Sequence, residues 1–264
     1  MNIIDAPENK LETLLRLAAN EPAHRPEFCK LLLDSVVLVL GNIDEEESNR
    51  ESEEGNEIAI ESWEEADGGL TIPFFSSLDS LEASVEDDAS YLEIPVRDLF
   101  EMTLGSKLVM NPHSEYGKEF FSDEIECLLA TGSIEKSSQR IIETDTEVIL
   151  GQPGEYPALL VDSLITLFSK HANIKAAYLA LIHDKSQDDE PNFIIGLQGN
   201  GDLEMVIEEA GLVARDITED EEIIDFIIIE EDDDISSYFI NETKPFYEAR
   251  WGSKMELYGE PGKA

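Results

Sequence analysis

The sequence predicts an α+β chain of two domains, the second a ferredoxin-like β-α-β-β-α-β unit with an added C-terminal helix and tail. Three observations predict it. A chain of 264 residues with 42% hydrophobic side chains can bury the cores of two ordinary domains. A polar stretch from Ser133 to Thr146, centred on Ser137-Ser138, divides it into 1–135 and 145–264. After that stretch, strand-like and helix-like segments alternate in the split β-α-β order.

In the first domain Leu11, Leu14, Leu15 and Ala18 recur at helical spacing, and Pro22 ends the stretch. A second helix follows. Pro26 suits a first turn, where its missing N–H is no loss, and Phe28, Leu31 and Leu32 form an apolar stripe. The β-branched run VVLVLG, ending at Gly41, reads as a strand. Between Asn42 and Glu57 lie eight acids, one Arg and a single apolar residue, too little apolar surface to offset ordering entropy, so the stretch reads as a mobile loop between strands. Ile58 to Trp63 and LTIPFFSS read as strands hairpin-paired across Gly68-Gly69. A short helix is expected over Ser77 to Val85, and another after Pro95, with Val96, Leu99, Phe100 and Thr103 on one face. The strand SKLVMNP stops at Asn111-Pro112, and SDEIECLLATG is a helix capped at Ser122 and ended by Gly132.

The second domain opens with a strand (EVILG) and a helix (Pro157 to His171). The strands IKAAYLALIH and NFIIGLQG follow, joined by HDKSQDDEPN, which has the composition of a hairpin loop. A helix (Asp202 to Ala214), a strand (IIDFIIIE) and a final helix (Asp234 to Asn241) complete it. The apolar run of the last strand predicts a central place in the sheet.

Charge decides which partners are excluded. Sixty Asp and Glu against 18 Lys and Arg leave a net charge of −42. Nucleic acid and anionic membrane surfaces, which bind through Lys and Arg, are ruled out as general partners. The charge is concentrated: Asn42 to Glu101 carries −18 and Asp184 to Ile235 carries −17. The remainder is nearly neutral and marks where recognition is expected. No apolar run approaches the 18 or so residues of a membrane span, and the start MNIIDAPENKLE has neither the basic region nor the apolar run of a secretory signal, so a cytoplasmic location is expected.

Signatures of catalysis and cofactors are missing. Cys29 and Cys127 sit in helical patterns far from any CxxC, which predicts buried, reduced thiols rather than a disulfide or a zinc site. The glycines between Gly196 and Gly201 lack the Lys-Ser or Lys-Thr of a phosphate loop. The run Glu230 to Asp234 lacks the alternate spacing of a calcium loop and reads as a solvated charge run. No catalytic residues, metal ligands or cofactors are therefore assigned.

Two places could bind. Asn111-Pro112-His113 follows a strand, where a loop can present side chains to a ligand; the alternative is a plain turn, since Asn and Pro are both strong turn formers. The segment Ser236 to Ala264 holds four basic and four acidic residues, so it is neutral in a steeply negative chain. There Lys244, Phe246, Tyr247, Arg250 and Trp251 interleave cations with aromatics, the composition of interface anchors. The alternative is a tail packed as an apolar clasp.

Three stretches carry a family resemblance: LETLLRLAANEPAHRPEFCKLLLDSVVLV near the start, LVMNPHSEYGKEF from Leu108 to Phe120, and KPFYEARWG from Lys244 to Gly252. Together with VILGQPGEYPALLVDSLITLF and KAAYLALIHD they resemble the enhanced-serine-sensitivity (SseB) family nearly end to end. The resemblance implies an N-terminal and a C-terminal domain. It transfers no catalytic residue, because the family is named from a phenotype. The acid runs at Asn42 to Glu57 and Ile229 to Asp234 are heavier here than that family generally shows.

The function expected is that of a non-enzymatic cytoplasmic interaction or regulatory protein with a protein partner, its aromatic and basic tail being the leading contact surface. The alternative, implied by the family name, is a sensor or enzyme for a small amino acid.

Overall fold

In a computed structural model the chain divides into two compact units, Met1–Ser137 and Ser138–Ala264. The structure describes residues 9–43, 58–66, 68–85, 89–134, 148–183, 190–218, 224–230 and 234–249. Most of the acid-rich loop and most of the polar linker read from the sequence lie outside these residues, as do Arg250 and Trp251. Each unit is a mixed α+β layer structure built on its own sheet.

The first unit runs α1 (Lys10–Asn20), a 3-10 turn (Pro22–His24), α2 (Arg25–Leu33), β1 (Val36–Ile43), β2 (Ile58–Ile60), β3 (Trp63–Glu64), β4 (Leu70–Phe75), α3 (Leu78–Glu82), β5 (Tyr91–Pro95), α4 (Val96–Met102), β6 (Lys107–Met110), β7 (Lys118–Phe120) and α5 (Ser122–Thr131). Strand β1 is the hub. It pairs antiparallel with β5 along Val36 to Leu40, with β4 at Leu38-Val39, and with β2 from Gly41 to Ile43. Alternation along the strands separates two cores. Val37, Val39, Phe74, Leu108, Met110 and Phe120 face the helices, while Leu40 and Phe75 join Leu81 on the opposite face. Three rings stack at the centre of the larger core: Phe74, Phe100 and Phe120, with centroids 5.7 to 6.1 Å apart.

Two sequence expectations change here. The run Ile58 to Trp63 is not one hairpin strand, because it breaks at Glu61-Ser62: β2 pairs with β1, and only β3 forms the Gly68-Gly69 hairpin with β4. Strands β5 and β7 are not legible as strands in the sequence; each is five residues or fewer, β5 running directly into α4 and β7 lying one residue before α5. Gly132 ends α5 in the left-handed conformation, as read from the sequence, its N–H donating to the Leu128 carbonyl at 2.8 Å.

The second unit runs β8 (Ile149–Gly151), α6 (Ala158–Phe168), β9 (Ile174–His183), β10 (Asn192–Gly199), α7 (Glu204–Arg215), β11 (Ile224–Ile228), α8 (Asp234–Glu242) and β12 (Tyr247–Glu248). The β-α-β-β-α-β order is present, but the sheet is not wired as a ferredoxin-like unit. The order is β11-β10-β9-β12, with β8 also on β9. A ferredoxin-like unit would place the first strand inside the sheet, beside the third. Here β8 is only three residues, Ile149 is 52% exposed, and the strand pairs antiparallel with the far end of β9. The interior place is filled instead by the parallel β10-α7-β11 connection, which sets β11 directly beside β10. Strand β11 is therefore at the edge of the described sheet rather than central. Part of its apolar content is used by α8: Ile227 and Ile229 pack in the cluster around Phe239, Tyr178 and Ile194.

Two glycines of β10 have packing explanations. A Cβ on Gly196 would stand 3.0 Å from the Phe239 ring and 3.1 Å from Ile229. One on Gly199 would stand 2.5 Å from the Asn173 carbonyl, which accepts from the Asn200 N–H.

Candidate functional site

A half-buried polar cluster of the first unit forms where α1, the β4–α3 turn and the β6–β7 turn meet. Asn9 and Glu12 cap α1 reciprocally: the Glu12 N–H donates to Asn9 Oδ1 at 2.8 Å, and the Asn9 N–H donates to Glu12 Oε2 at 3.3 Å. The same Glu12 reaches across to α3. Its Oε1 accepts hydroxyl hydrogens from Ser76 at 2.6 Å, Ser77 at 2.7 Å and Ser80 at 3.0 Å. Burial pushes this carboxyl upward, but the hydroxyl donors and the Asn9 N–H outweigh it and hold Glu12 below the ordinary carboxylate range.

Asn111 closes the network from the other side. It is 1% exposed and has φ of 47°, and with His113 at 69° it forms the pair of non-glycine left-handed residues among those described. Its backbone N–H donates to the Phe74 carbonyl, and its carbonyl accepts from the Ser114 N–H. Its side chain accepts from the Ser76 N–H and donates to Ser76 Oγ. Ser84 Oγ donates to the Pro112 carbonyl at 2.7 Å, fixing the turn from α3. His113 is exposed and lies against Trp63, ring centroids 6.0 Å apart.

Beside this network is a cleft of about 220 Å³. Glu12, Leu15 and Arg16 of α1 line it, with Ser114, Glu115 and Tyr116 of the loop after β6, and Asn111 between them. Its charges are mixed, two carboxylates and one guanidinium. The sequence pointed to Asn111 and His113 here and missed Glu12, Ser76 and Trp63. The Asn9-x-x-Glu12 spacing is a legible cap signal, but nothing in one sequence shows that the same carboxylate also receives three serines from 64 or more residues away.

The tail residues divide. Strand β12 adds to β9 antiparallel, Tyr247 opposite Ala177, and the Phe246 and Ala249 N–H groups donate to the Ala177 and Lys175 carbonyls. Phe246 and Tyr247 pack on Phe168 with centroids 6.3 and 5.9 Å away, and the Tyr247 hydroxyl donates to the Phe168 carbonyl at 3.1 Å. These two aromatics therefore work within the fold of the second unit. Lys244 is exposed in the connection before them. Cys29 and Cys127 are both buried and free, and burial pushes the Cys29 thiol up to about 12. Among the described residues no group of His, Cys, Asp and Glu side chains is arranged to hold a metal ion, and no helix is long and apolar enough to cross a membrane.

Comparison with known proteins accounts for both units. The family model of the SseB protein N-terminal domain matches residues 11–127, and that of the SseB protein C-terminal domain matches residues 142–249. Protein SseB of Escherichia coli (strain K12) is 41% identical over 246 residues, covering 93% of this chain and 94% of its own. Protein SseB of Shigella flexneri is similar to the same extent. No solved structure matches the chain. With this identity sustained over nearly the whole of both chains and a model matched in each half, the chain belongs to the SseB protein family.

Proposed function

We propose that the protein is a non-enzymatic interaction or regulatory protein of the cytoplasm. The observation that supports this reading is the use made of the polar groups beside the cleft. The three serine hydroxyls all donate to one carboxylate, and that carboxylate is held below its ordinary pKa. A catalytic base is tuned the other way, toward the working pH, so Glu12 is suited to fixing α1 against the two turns. The Cys29 thiol, pushed up to about 12, is equally ill-suited to attack. The fixed turns present His113, Ser114 and Glu115 at the surface, a rigid platform for recognition.

Affinity capture from native lysate tests this, using wild type, a His113→Ala, Glu115→Ala loop variant and an Arg250→Ala, Trp251→Ala tail variant, all with matched melting temperatures. A reproducible partner set that the loop or tail variant loses supports the reading. Identical lists remove that surface from it, and an empty wild-type list at native salt overturns it.

A second reading, a sensor for a small amino acid, is favoured by the cleft itself, whose lining carries both an acid, Glu115, and a base, Arg16, the two charges that a zwitterion pairs with. Thermal shift against an amino-acid panel decides it. A ligand at 100 times its Kd adds about 2.7 kcal/mol of stability, and a flat response across the panel retires this reading.

A further inference from the structure

The second sheet ends, among the described residues, in a strand with one unpaired side. Strand β11 pairs in parallel with β10 from Phe193↔Ile224 to Leu197↔Ile228, and no described strand pairs with its other edge. In a parallel ladder the N–H and C=O of one residue point to the same neighbour, and successive residues alternate. The Ile229 N–H donates to the Leu197 carbonyl at 2.8 Å. Asp225 and Ile227 therefore also face β10, while Ile224, Phe226 and Ile228 turn their amides and carbonyls outward. Ile228 is 40% exposed.

This edge is guarded against pairing with a second copy. The sequence from Asp216 to Asp234 holds eleven acids and neither Lys nor Arg, so the β11 segments of two copies carry charge of the same sign and repel. Asp225 is turned inward, 4% exposed, a further device by which edge strands resist self-association. The same field attracts a strand of opposite charge.

Resting on the interaction reading above, we propose that the outer edge of β11 accepts an extended segment of a partner protein by strand addition, a segment with apolar side chains at alternate positions and Lys or Arg at both ends. Outward amides and carbonyls at Ile224, Phe226 and Ile228 supply the ladder, and the negative charge of the Asp216 to Asp234 sequence raises the on-rate of a basic segment.

The probe is a synthetic peptide with an alternating Val-Thr centre and two lysines at each end, titrated into the full ¹⁵N-labelled chain. Its control has the same length and the same four lysines but a central Pro-Gly in place of Val-Thr, which keeps the charge and breaks the ladder. The inference expects slowed amide exchange at Ile224, Phe226 and Ile228, and about ten-fold weaker binding on going from 50 to 500 mM salt. It expects at least a ten-fold loss of affinity in Ile228→Pro, which removes an outward donor and spares the ladder to β10, but under about three-fold in Ile228→Ala, which keeps that donor. Equal binding by the Pro-Gly control, protection mapped away from β11, or full affinity in a folded Ile228→Pro overturns it. Sedimentation showing a wild-type dimer that Ile228→Pro dissolves would overturn it in favour of a second copy. If Ile228→Pro does not fold, the exchange map of the wild type decides. An empty capture list with peptide protection at β11 retires the interaction reading alone, and partners that still bind a folded Ile228→Pro retire the edge alone.

Discussion

Ser76 and Asn111 hold each other reciprocally: the Ser76 N–H donates to Asn111 Oδ1 at 2.9 Å, and Asn111 Nδ2 donates to Ser76 Oγ at 2.8 Å. The pair joins the ends of two parallel neighbours, β4 and β6, just beyond their last registered residues, Phe74 and Met110. Ser76 Oγ passes its own hydrogen to Glu12, so one chain of bonds runs from the β6–β7 turn to the first turn of α1.

Replacing Asn111 tests both of its duties. Asn111→Ala strands the Ser76 N–H in a nearly buried site and places a Cβ residue with no local hydrogen bond at φ of 47°. Each effect costs on the order of 1 to 2 kcal/mol, so a loss of about 2 to 4 kcal/mol is expected in urea unfolding. Asn111→Gly removes the bonds and relieves the backbone, and should cost less than Asn111→Ala. Equal costs would show that backbone conformation plays no part.

Glu12 carries a pH signature. Its folded pKa lies below the reference value of 4.5, so its charge contributes stability that is present above that value and lost as pH falls through the folded pKa. Glu12→Gln keeps an acceptor oxygen and removes the charge. The variant is expected to lose about 1 to 2 kcal/mol at pH 7, less than the roughly 1.5 to 3 kcal/mol of fully buried hydrogen bonds to a charged group, because solvent screens this part-exposed carboxylate. The gap to wild type should narrow as pH is lowered below 4.5, where wild type protonates toward the same neutral state. A gap constant from pH 7 to pH 3 would contradict the lowered pKa.

Gly196 is required by the ring above it. Gly196→Ala puts a methyl 3.0 Å from Phe239 Cδ2 and 3.1 Å from Ile229 Cδ1, so both side chains must give by a few tenths of an ångström, at an expected cost of about 1 kcal/mol by thermal unfolding. In a Phe239→Leu background the penalty for Gly196→Ala should shrink, because the smaller side chain can give way. An unchanged penalty in that background would place the strain elsewhere.

Local signals were read well because they are carried by a few adjacent residues. Leu11, Leu14, Leu15 and Ala18 are all buried along α1, and Gly132 takes the left-handed cap its type favours. What the sequence hid is non-local. Whether β8 sits inside or outside the sheet depends on how α7 returns β11 to β10, and the Ile-rich run of β11 reads the same for a central strand as for an edge strand covered by α8. The candidate site was half legible for the same reason. Asn111 and His113 stand out as turn residues, but Ser76, which holds Asn111, is 35 residues away in sequence, and Glu12, which Ser76 meets in turn, is 64 residues from Ser76.

Cys29 should be inert in the folded chain. The thiol is 2% exposed and pushed up to about 12, so almost none is thiolate at pH 8. Labelling of Cys29 by a disulfide reagent at pH 8 should follow global unfolding, with a rate that denaturant raises in step with the unfolded fraction. Rapid labelling at Cys29 without denaturant would reveal a local opening of α2.

Tyr247 shows what the tail contributes to the fold. The Phe168 carbonyl, the last of α6, already accepts from the His171 N–H at 3.0 Å, and the Tyr247 hydroxyl adds a second donor from β12. Tyr247→Phe keeps the ring contact with Phe168 and removes only that donor, so a loss of about 1 kcal/mol is expected. Tyr247→Ala removes the ring as well and should cost about 3 kcal/mol or more, because it also frees β12 from the edge of β9. The difference between the two variants separates the cap from the packing. If Tyr247→Phe is neutral in stability but loses partners in the capture experiment, the hydroxyl serves recognition, and the tail's place among the candidate contact residues is restored.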